Sequence, residues 1–314
     1  MSSLPLPSIQ PSIQPNMQRQ TTLDLPRIAE YLSGAPNGRT GDYAELDYYP
    51  EVDSTMRVAR ALGMQSSIGS GSVVVADAQS AGRGRMGRTW EAPPGSSLLM
   101  SIILKRTDIM SNFYLFPLMA GIAVQRALAE LALPGIAVGI KWPNDILLRG
   151  GDGVERKVAG VLVESTLQEE MTSGHAVIGF GINVLQDASQ LPHVAAPAPP
   201  PTSLWLASGV TVDRTNLLLA VWRHFFAVLN LPPARPKAQS ADPVFSLWRE
   251  VSWTLGRAVT VHHADGSTLR GVAVDIDSDR MGLGALIVED ETGARHAVHA
   301  GDVSLRADAA RAGA

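Results

Sequence analysis

Seven residues, Gly82-Arg83-Gly84-Arg85-Met86-Gly87-Arg88, hold three glycines and three arginines and constrain this chain more than any other stretch. The run satisfies the pattern G-x-G-x-x-G. In a dinucleotide-binding fold that pattern follows a strand and opens a helix, with an acidic residue about 20 positions on. Here the chain continues Arg88-Thr89-Trp90-Glu91-Ala92-Pro93-Pro94-Gly95. Two prolines and a glycine forbid a helix there, because proline has no N–H to donate and clashes with the preceding turn. A Rossmann fold and a NAD-dependent enzyme are therefore disfavoured. What remains is a loop whose glycines let backbone approach a ligand and whose guanidiniums fork onto phosphate or carboxylate. The bland alternative is a solvated basic loop.

Around this loop the chain reads as mixed strands and helices. Helices are predicted over Leu25–Ser33, Ser54–Leu62 with Ser54 as N-cap and Gly63 just beyond, Tyr114–Leu133, Thr215–Asn230 and Asp242–Val251. Strands are predicted at Ala44–Tyr49, Ser72–Ala76, Ser97–Leu104, Ala137–Trp142, Asp145–Leu148, Val158–Ser165 and Ala176–Val184. His193–Thr202 is a Pro/Ala-rich connection. After Gly256 short alternating runs with turn signals at Asp265-Gly266, Gly282 and Thr292-Gly293 predict a small all-β module of about five strands. Regular βαβ alternation is lacking, so the fold class is α+β, a mixed sheet with flanking helices. The start, with its repeated PSIQ, reads as a disordered arm. The expected domains are an arm at 1–24, a catalytic domain at 25–253, a β domain at 254–307 and a disordered tail at 308–314.

Composition narrows the function. With 314 residues, 45% of them apolar, the chain can bury a large core. Its 26 basic and 30 acidic residues argue against a general nucleic-acid binder. There is no cysteine, which removes disulfides, thiolate metal sites and cysteine nucleophiles and fits a cytoplasmic location. No apolar run approaches the roughly 20 residues that span a bilayer, so no membrane partner is expected. The seven histidines show no metal-ligand spacing; His262-His263, His296 and His299 fall in the β module and read as surface residues. Neither G-x-S-x-G nor H-E-x-x-H is present.

Three further segments bear on the loop. Lys141-Trp142-Pro143-Asn144-Asp145 sets a cation, an amide and a carboxylate around a proline turn between two strands. Lys157 precedes the buried run Val158-Ala159-Gly160-Val161-Leu162-Val163-Glu164, where a lysine would be costly to bury unless paired. Gly179 and Gly181 interrupt a strand, which often marks close approach of a ligand or backbone. Each has a plainer reading: Ser54 and Thr55 as helix caps, Asp145 as a turn cap, Trp90 and Trp142 as core.

In this order, with Ser54-Thr55 upstream and Ala76-Asp77-Ala78-Gln79-Ser80-Ala81 leading into the loop, these segments resemble the signature of biotin–protein ligases. The resemblance covers about Glu51 to Val184, and the final β module is similar to that family's C-terminal SH3-like β-barrel. It implies an ATP-dependent biotin–[biotin carboxyl carrier protein] ligase. The biotin carboxylate attacks the α-phosphate of ATP to give biotinyl-5′-AMP and pyrophosphate; a lysine of a biotin carboxyl carrier protein then takes the biotin and AMP leaves. By the same resemblance Lys157, Arg83 and Arg85 are catalytic. Ser54, Thr55, Met56, Gln79, Arg83, Gly84, Arg85, Lys157, Gly160, Gly179 and Gly181 bind biotin. Arg83, Arg85, Arg88, Trp90, Lys141, Asn144 and Asn183 bind ATP, and Asp145 holds Mg²⁺. The loop is expected to act as a flexible lid. Met56 departs from the family pattern Ser-Thr-Asn, which puts the detail of ureido recognition in question.

Two rivals stay open beside it. A lipoate-type ligase on the related fold is one; the loop and the β module favour biotin. A DNA-binding repressor is the other, since some members carry an N-terminal winged helix. About 50 residues precede Ser54, half of them low-complexity, so no specific DNA binding is expected. A homodimer is compatible with the sequence.

Overall fold

The computed structural model describes residues 21–34, 44–105, 115–167, 174–196, 198–231, 243–263, 265–277, 284–299 and 302–305. Most of the expected arm and the whole of the tail at 308–314 lie outside them. Residues 21–24, which the sequence assigns to the arm, belong to the folded body. Leu23 is buried, and the Arg214 guanidinium, itself buried, donates to the Thr21 carbonyl and at 2.7 Å to Asp77. A buried arginine needs such partners, and a propensity reading sees only that the segment is polar.

Seven strands form the main sheet: β1 (Leu46–Val52), β2 (Val73–Gln79), β3 (Ser97–Lys105), β4 (Ala137–Lys141), β5 (Asp145–Arg149), β6 (Glu155–Leu167) and β7 (Gly174–Asn183). Their order is β1-β2-β3-β7-β6-β5-β4. β1 and β2 are parallel and the other neighbours antiparallel. The parallel pair is joined through helix α2 (Thr55–Gly63), the crossover such a pair requires. Pro50 falls inside β1 and is tolerated because β1 is an edge strand.

The strand alternation divides the sheet into two unlike faces. Leu98, Met100, Ile102 and Leu104 of β3 join the main core; helix α5 (Arg214–Leu229) packs over β3, and helix α3 (Phe116–Glu130) beside it over β4 to β7. The opposite face carries α2 over a smaller cluster of Met56, Ala59, Val74, Ile103 and Val177. Helices α1 (Leu25–Gly34) and α6 (Pro243–Val251) lie where the sequence predicts them, and α4 (Leu204–Ser208) was not predicted. Its Ser203 cap and left-handed Gly209 end are legible afterwards, but five residues are too few to show a period.

The C-terminal module is a five-stranded antiparallel sheet, β8 (Ala258–His262), β9 (Thr268–Asp277), β10 (Ala285–Glu289), β11 (Arg295–Val298) and β12 (Asp302–Leu305), in the order β11-β10-β9-β8-β12. The sheet is consistent with an SH3-like domain, and among the described residues no pairing joins β11 to β12.

Candidate active site

The face of the sheet under α2 narrows to glycine where β6 meets β7. Gly160 stands directly opposite Gly181, and Leu162 opposite Gly179. A Cβ on Gly181 would come within 2.6 Å of the Trp90 indole, and one on Gly179 within 2.7 Å of the Met56 sulfur. The glycines therefore make the room that Trp90 and Met56 occupy. Lys157 reaches the same face through an irregularity: Ile146 pairs with Ala159 but Leu147 with Lys157. The bulge sends Val158 and Ala159 successively into the core, so Lys157 and Gly160, three residues apart, share one face. The predicted strand began at Val158; β6 begins at Glu155 and runs through the lysine.

Lys157 Nζ lies 2.6 Å from Asp145 Oδ1 and 5.9 Å from the centre of the Trp90 ring. Lys141, whose side chain is 3% exposed, lies 3.6 Å from the other Asp145 oxygen. Burial alone would raise the Asp145 pKa; Lys157, Lys141 and Arg85 outweigh it and hold the carboxyl below its ordinary value. Arg85 donates to Asn144 Oδ1 at 3.1 Å, and the Asn144 amide in turn donates to the Val161 carbonyl. The peptide between Trp142 and Pro143 is cis.

At the other end, Ser54 stands at the N-cap of α2 without a capping hydrogen bond, so the cap reading of its hydroxyl does not hold. Thr55 donates from its backbone (2.8 Å) and hydroxyl (3.1 Å) to Gln79 Oε1, and Ser101 donates to the Thr55 hydroxyl. The Gly/Arg loop is a hairpin hydrogen-bonded to itself: Gly84 donates to the Arg88 carbonyl at 2.7 Å and Trp90 to the Gly82 carbonyl at 2.9 Å. Its tip is a short 3₁₀ turn, Arg85–Gly87.

Two adjoining cavities result. The inner one, about 120 Å³, is lined by Ser54, Thr55, Met56, Gln79, Arg83, Gly84, Arg85, Arg88, Trp90, Lys141, Asn144, Asp145, Lys157, Gly160, Gly179 and Gly181. Every residue to which the sequence assigns biotin, ATP, metal or catalytic contact is there except Asn183, and Trp142 is buried in the main core instead. The outer one, about 420 Å³, shares Arg88, Trp90, Lys141, Asp145 and Lys157 and adds Asn183, Pro192, Val194, Ala195, Ala198, Pro199 and Pro201 of the Pro/Ala connection, and His262 and Ser304 of the C-terminal module. Asn183 is largely committed to the protein: it donates to the Thr202 carbonyl at 3.0 Å and accepts from Gln186 at 3.0 Å. His262 is not a simple surface residue, a point the sequence missed because nothing local says which strand end meets the other sheet. Pro200 and Thr202 flank Lys157 directly: the Lys157 N–H donates to the Pro200 carbonyl and the Thr202 N–H to the Lys157 carbonyl, both at 2.8 Å.

The fold places this chain among the biotin/lipoate-type protein ligases. Residues 48–183 match the biotin/lipoate A/B protein ligase family and residues 254–306 the biotin protein ligase C-terminal domain. The chain is 31% identical over 284 residues to the biotin–[acetyl-CoA-carboxylase] ligase of Mycobacterium tuberculosis, covering 90% of this chain and 95% of that protein. It is 30% identical over 260 residues to the bifunctional ligase/repressor BirA of Bacillus subtilis, covering 83% and 74%. The biotin protein ligase of Aquifex aeolicus in complex with biotin and ATP superposes with a TM-score of 0.61 at 27% identity, over 83% of this chain and 98% of that one. The chain belongs to the biotin protein ligase family and is a biotin ligase. No helix among the described residues is long and apolar enough to cross a membrane.

Proposed function

We propose that this enzyme joins biotin to ATP as biotinyl-5′-AMP and then transfers biotin to one lysine of a biotin carboxyl carrier protein in the cytoplasm, with no repressor role. The observation that carries the reading is the gathering of Lys157, Lys141 and Arg85 around one carboxylate, Asp145, above a glycine floor. Both partners of the first half-reaction are anions. Their approach needs fixed positive charge, and in a water-poor cleft such preorganised charge supplies much of the catalysis.

In this reading the ureido ring lies toward Ser54, Thr55 and Gln79, where hydroxyl and amide groups can both donate and accept. The valeryl chain runs over Gly179, Gly181 and Gly160 once Trp90 gives way. Its carboxylate ends at Lys157, with Arg83 and Arg85 closing from the loop. ATP takes the outer cavity, its phosphates toward Arg88, Lys141 and Lys157 and its base toward the Pro/Ala wall. The carboxylate oxygen bonds to the α-phosphorus as the bond to pyrophosphate breaks; then the acceptor amine bonds to the acyl carbon, AMP leaves with the bonding pair, and the amine sheds a proton.

Magnesium fits this donor set in one way. Among the described residues Asp145 is the one carboxylate lining the inner cavity, and no group of three or more His, Cys, Asp or Glu could hold a metal. Mg²⁺ bound through one carboxylate would take its other ligands from phosphate oxygens and water, and would neutralise phosphate charge there.

The acceptor follows from relatives named biotin–[acetyl-CoA-carboxylase] ligases, and a net charge of −4 gives the chain no general attraction to nucleic acid. The test is biotin-dependent release of pyrophosphate from ATP, followed by the mass gain of one biotin on a carrier domain. Lipoate in place of biotin should give neither. Equal turnover of lipoate, or a sequence-specific gel shift with DNA, would sink the respective part.

A further inference from the structure

One carboxylate beside the loop has no part in the scheme above. Glu164 lies on β6, opposite Val177 and on the same face as Gly160 and Leu162. Each of its oxygens takes a different guanidinium. Arg83 Nη1 reaches Oε1 at 2.8 Å, and Arg60 reaches Oε2. Arg83 belongs to the loop and lines the inner cavity; Arg60 belongs to α2, whose first residues, Thr55 and Met56, line that cavity too. Glu164 itself stands outside the cavity.

We infer that Glu164 is a positioning residue: from outside the cleft it clasps the loop, through Arg83, to the sheet and to α2, and so sets how long the loop stays closed over the adenylate. This rests on the function proposed above. The hairpin's backbone hydrogen bonds close the loop on itself, Gly84 to Arg88 and Trp90 to Gly82; backbone bonds tie its flanks to the body, Ala81 to Asp53 and Gly95 to Asp77, and between them the attachments seen among the described residues are made by side chains. Arg85 attaches inward, to Asn144, where the ligand's own oxygens compete for it. Arg83 attaches outward, to a carboxylate the ligand does not displace. A guanidinium carries five donors, so the bond to Glu164 leaves Arg83 others for the substrate. Arg60 on the second oxygen fixes the carboxylate from the far side and links the loop to the helix that carries Ser54, Thr55 and Met56.

The clasp is partly exposed, with 52% of the Arg83 side chain and 23% of the Glu164 side chain open to solvent. Its contribution is therefore modest and salt-sensitive. The test loads the full chain with radiolabelled biotin and ATP, removes free ligand by rapid desalting, and follows the loss of labelled adenylate. Glu164→Gln keeps the shape and removes the charge. It should release the adenylate about fivefold faster than the wild type, the scale expected for one half-exposed ion pair. Raising NaCl from ~50 mM to ~0.5 M should speed release from the wild type more than from the variant, a response that loss of packing would not give. The double variant Arg83→Gln/Glu164→Gln should release no faster than Arg83→Gln alone, since both remove one contact.

Release from Glu164→Gln at the wild-type rate overturns the clasp. Slower release overturns it as well, because Glu164 would then be competing with the ligand for Arg83. Additive single effects do the same. If Glu164→Gln does not fold, wild-type release from Arg83→Gln refutes it independently. Failure of the wild type to form any labelled adenylate would instead refute the proposed function.

Discussion

Replacing Asp145 by Asn removes the one negative charge that Lys141 and Lys157 share. The two lysines are not equally able to bear this. The Lys157 side chain is 29% exposed and can turn to water, whereas that of Lys141 is 3% exposed. Breaking a buried pair from one side leaves an uncompensated charge, at a cost of roughly 3–5 kcal/mol. A domain of this size shifts by about 2–4 °C per kcal/mol, so Asp145→Asn should lower the melting temperature by roughly 6–20 °C. The acid dependence should change with it. The folded-state pKa of Asp145 lies below 3.8, so its contribution is complete above that value and fades as pH falls through the lower folded value. The variant should lack that part of the acid loss. Adding Lys141→Met should recover most of the lost stability, because no buried charge is then left unpaired. Differential scanning fluorimetry and urea titration of the three proteins without ligand decide the matter. A single variant within about 2 °C of the wild type, or a double variant no more stable than the single, would refute the reasoning.

Three other outcomes are expected. Lys157→Ala should cut biotin-dependent pyrophosphate release by a hundredfold or more, on the scale of ~3 kcal/mol for one preorganised charge; near-normal release would remove the residue from the catalytic role. Arg85→Gly should let biotinyl-adenylate escape faster and label bystander lysines, since it removes the contact to Asn144 and adds backbone freedom; a chase of preformed adenylate in the presence of a bystander protein checks this. Met56→Asn would restore the amide of the family pattern, but Met56 is 4% exposed and packs with Ala59, Val74, Ile103 and Val177, so the variant should be less stable by about 2 kcal/mol or more; an unchanged melting temperature would mean that the side chain turns toward the cleft.

Much was legible from residue order alone. The seven strands of the main sheet and the five of the terminal module could be read because apolar residues alternate at period two or run unbroken between turn residues. The loop could be read because Pro93, Pro94 and Gly95 exclude the helix that its glycine pattern would otherwise start. Met56 stood out as a departure, but not its burial, which depends on Val74, Ile103 and Val177 arriving from three strands under its helix. Tertiary structure alone decided where charges meet. The bulge at Val158 and Ala159 turns Lys157 onto the glycine face, and a bulge is a matter of pairing between strands, invisible along one of them. Asp145 found its second partner, Lys157, 12 residues away, and Glu164 found Arg60 104 residues away, because antiparallel pairing and the α2 crossover bring them together. His262 reached the outer cavity only because one end of a separate sheet lies against the first. Local sequence carries the periodicity and the turn chemistry; the distance between two side chains remote in the chain is set by packing, and with it the partner each charge acquires.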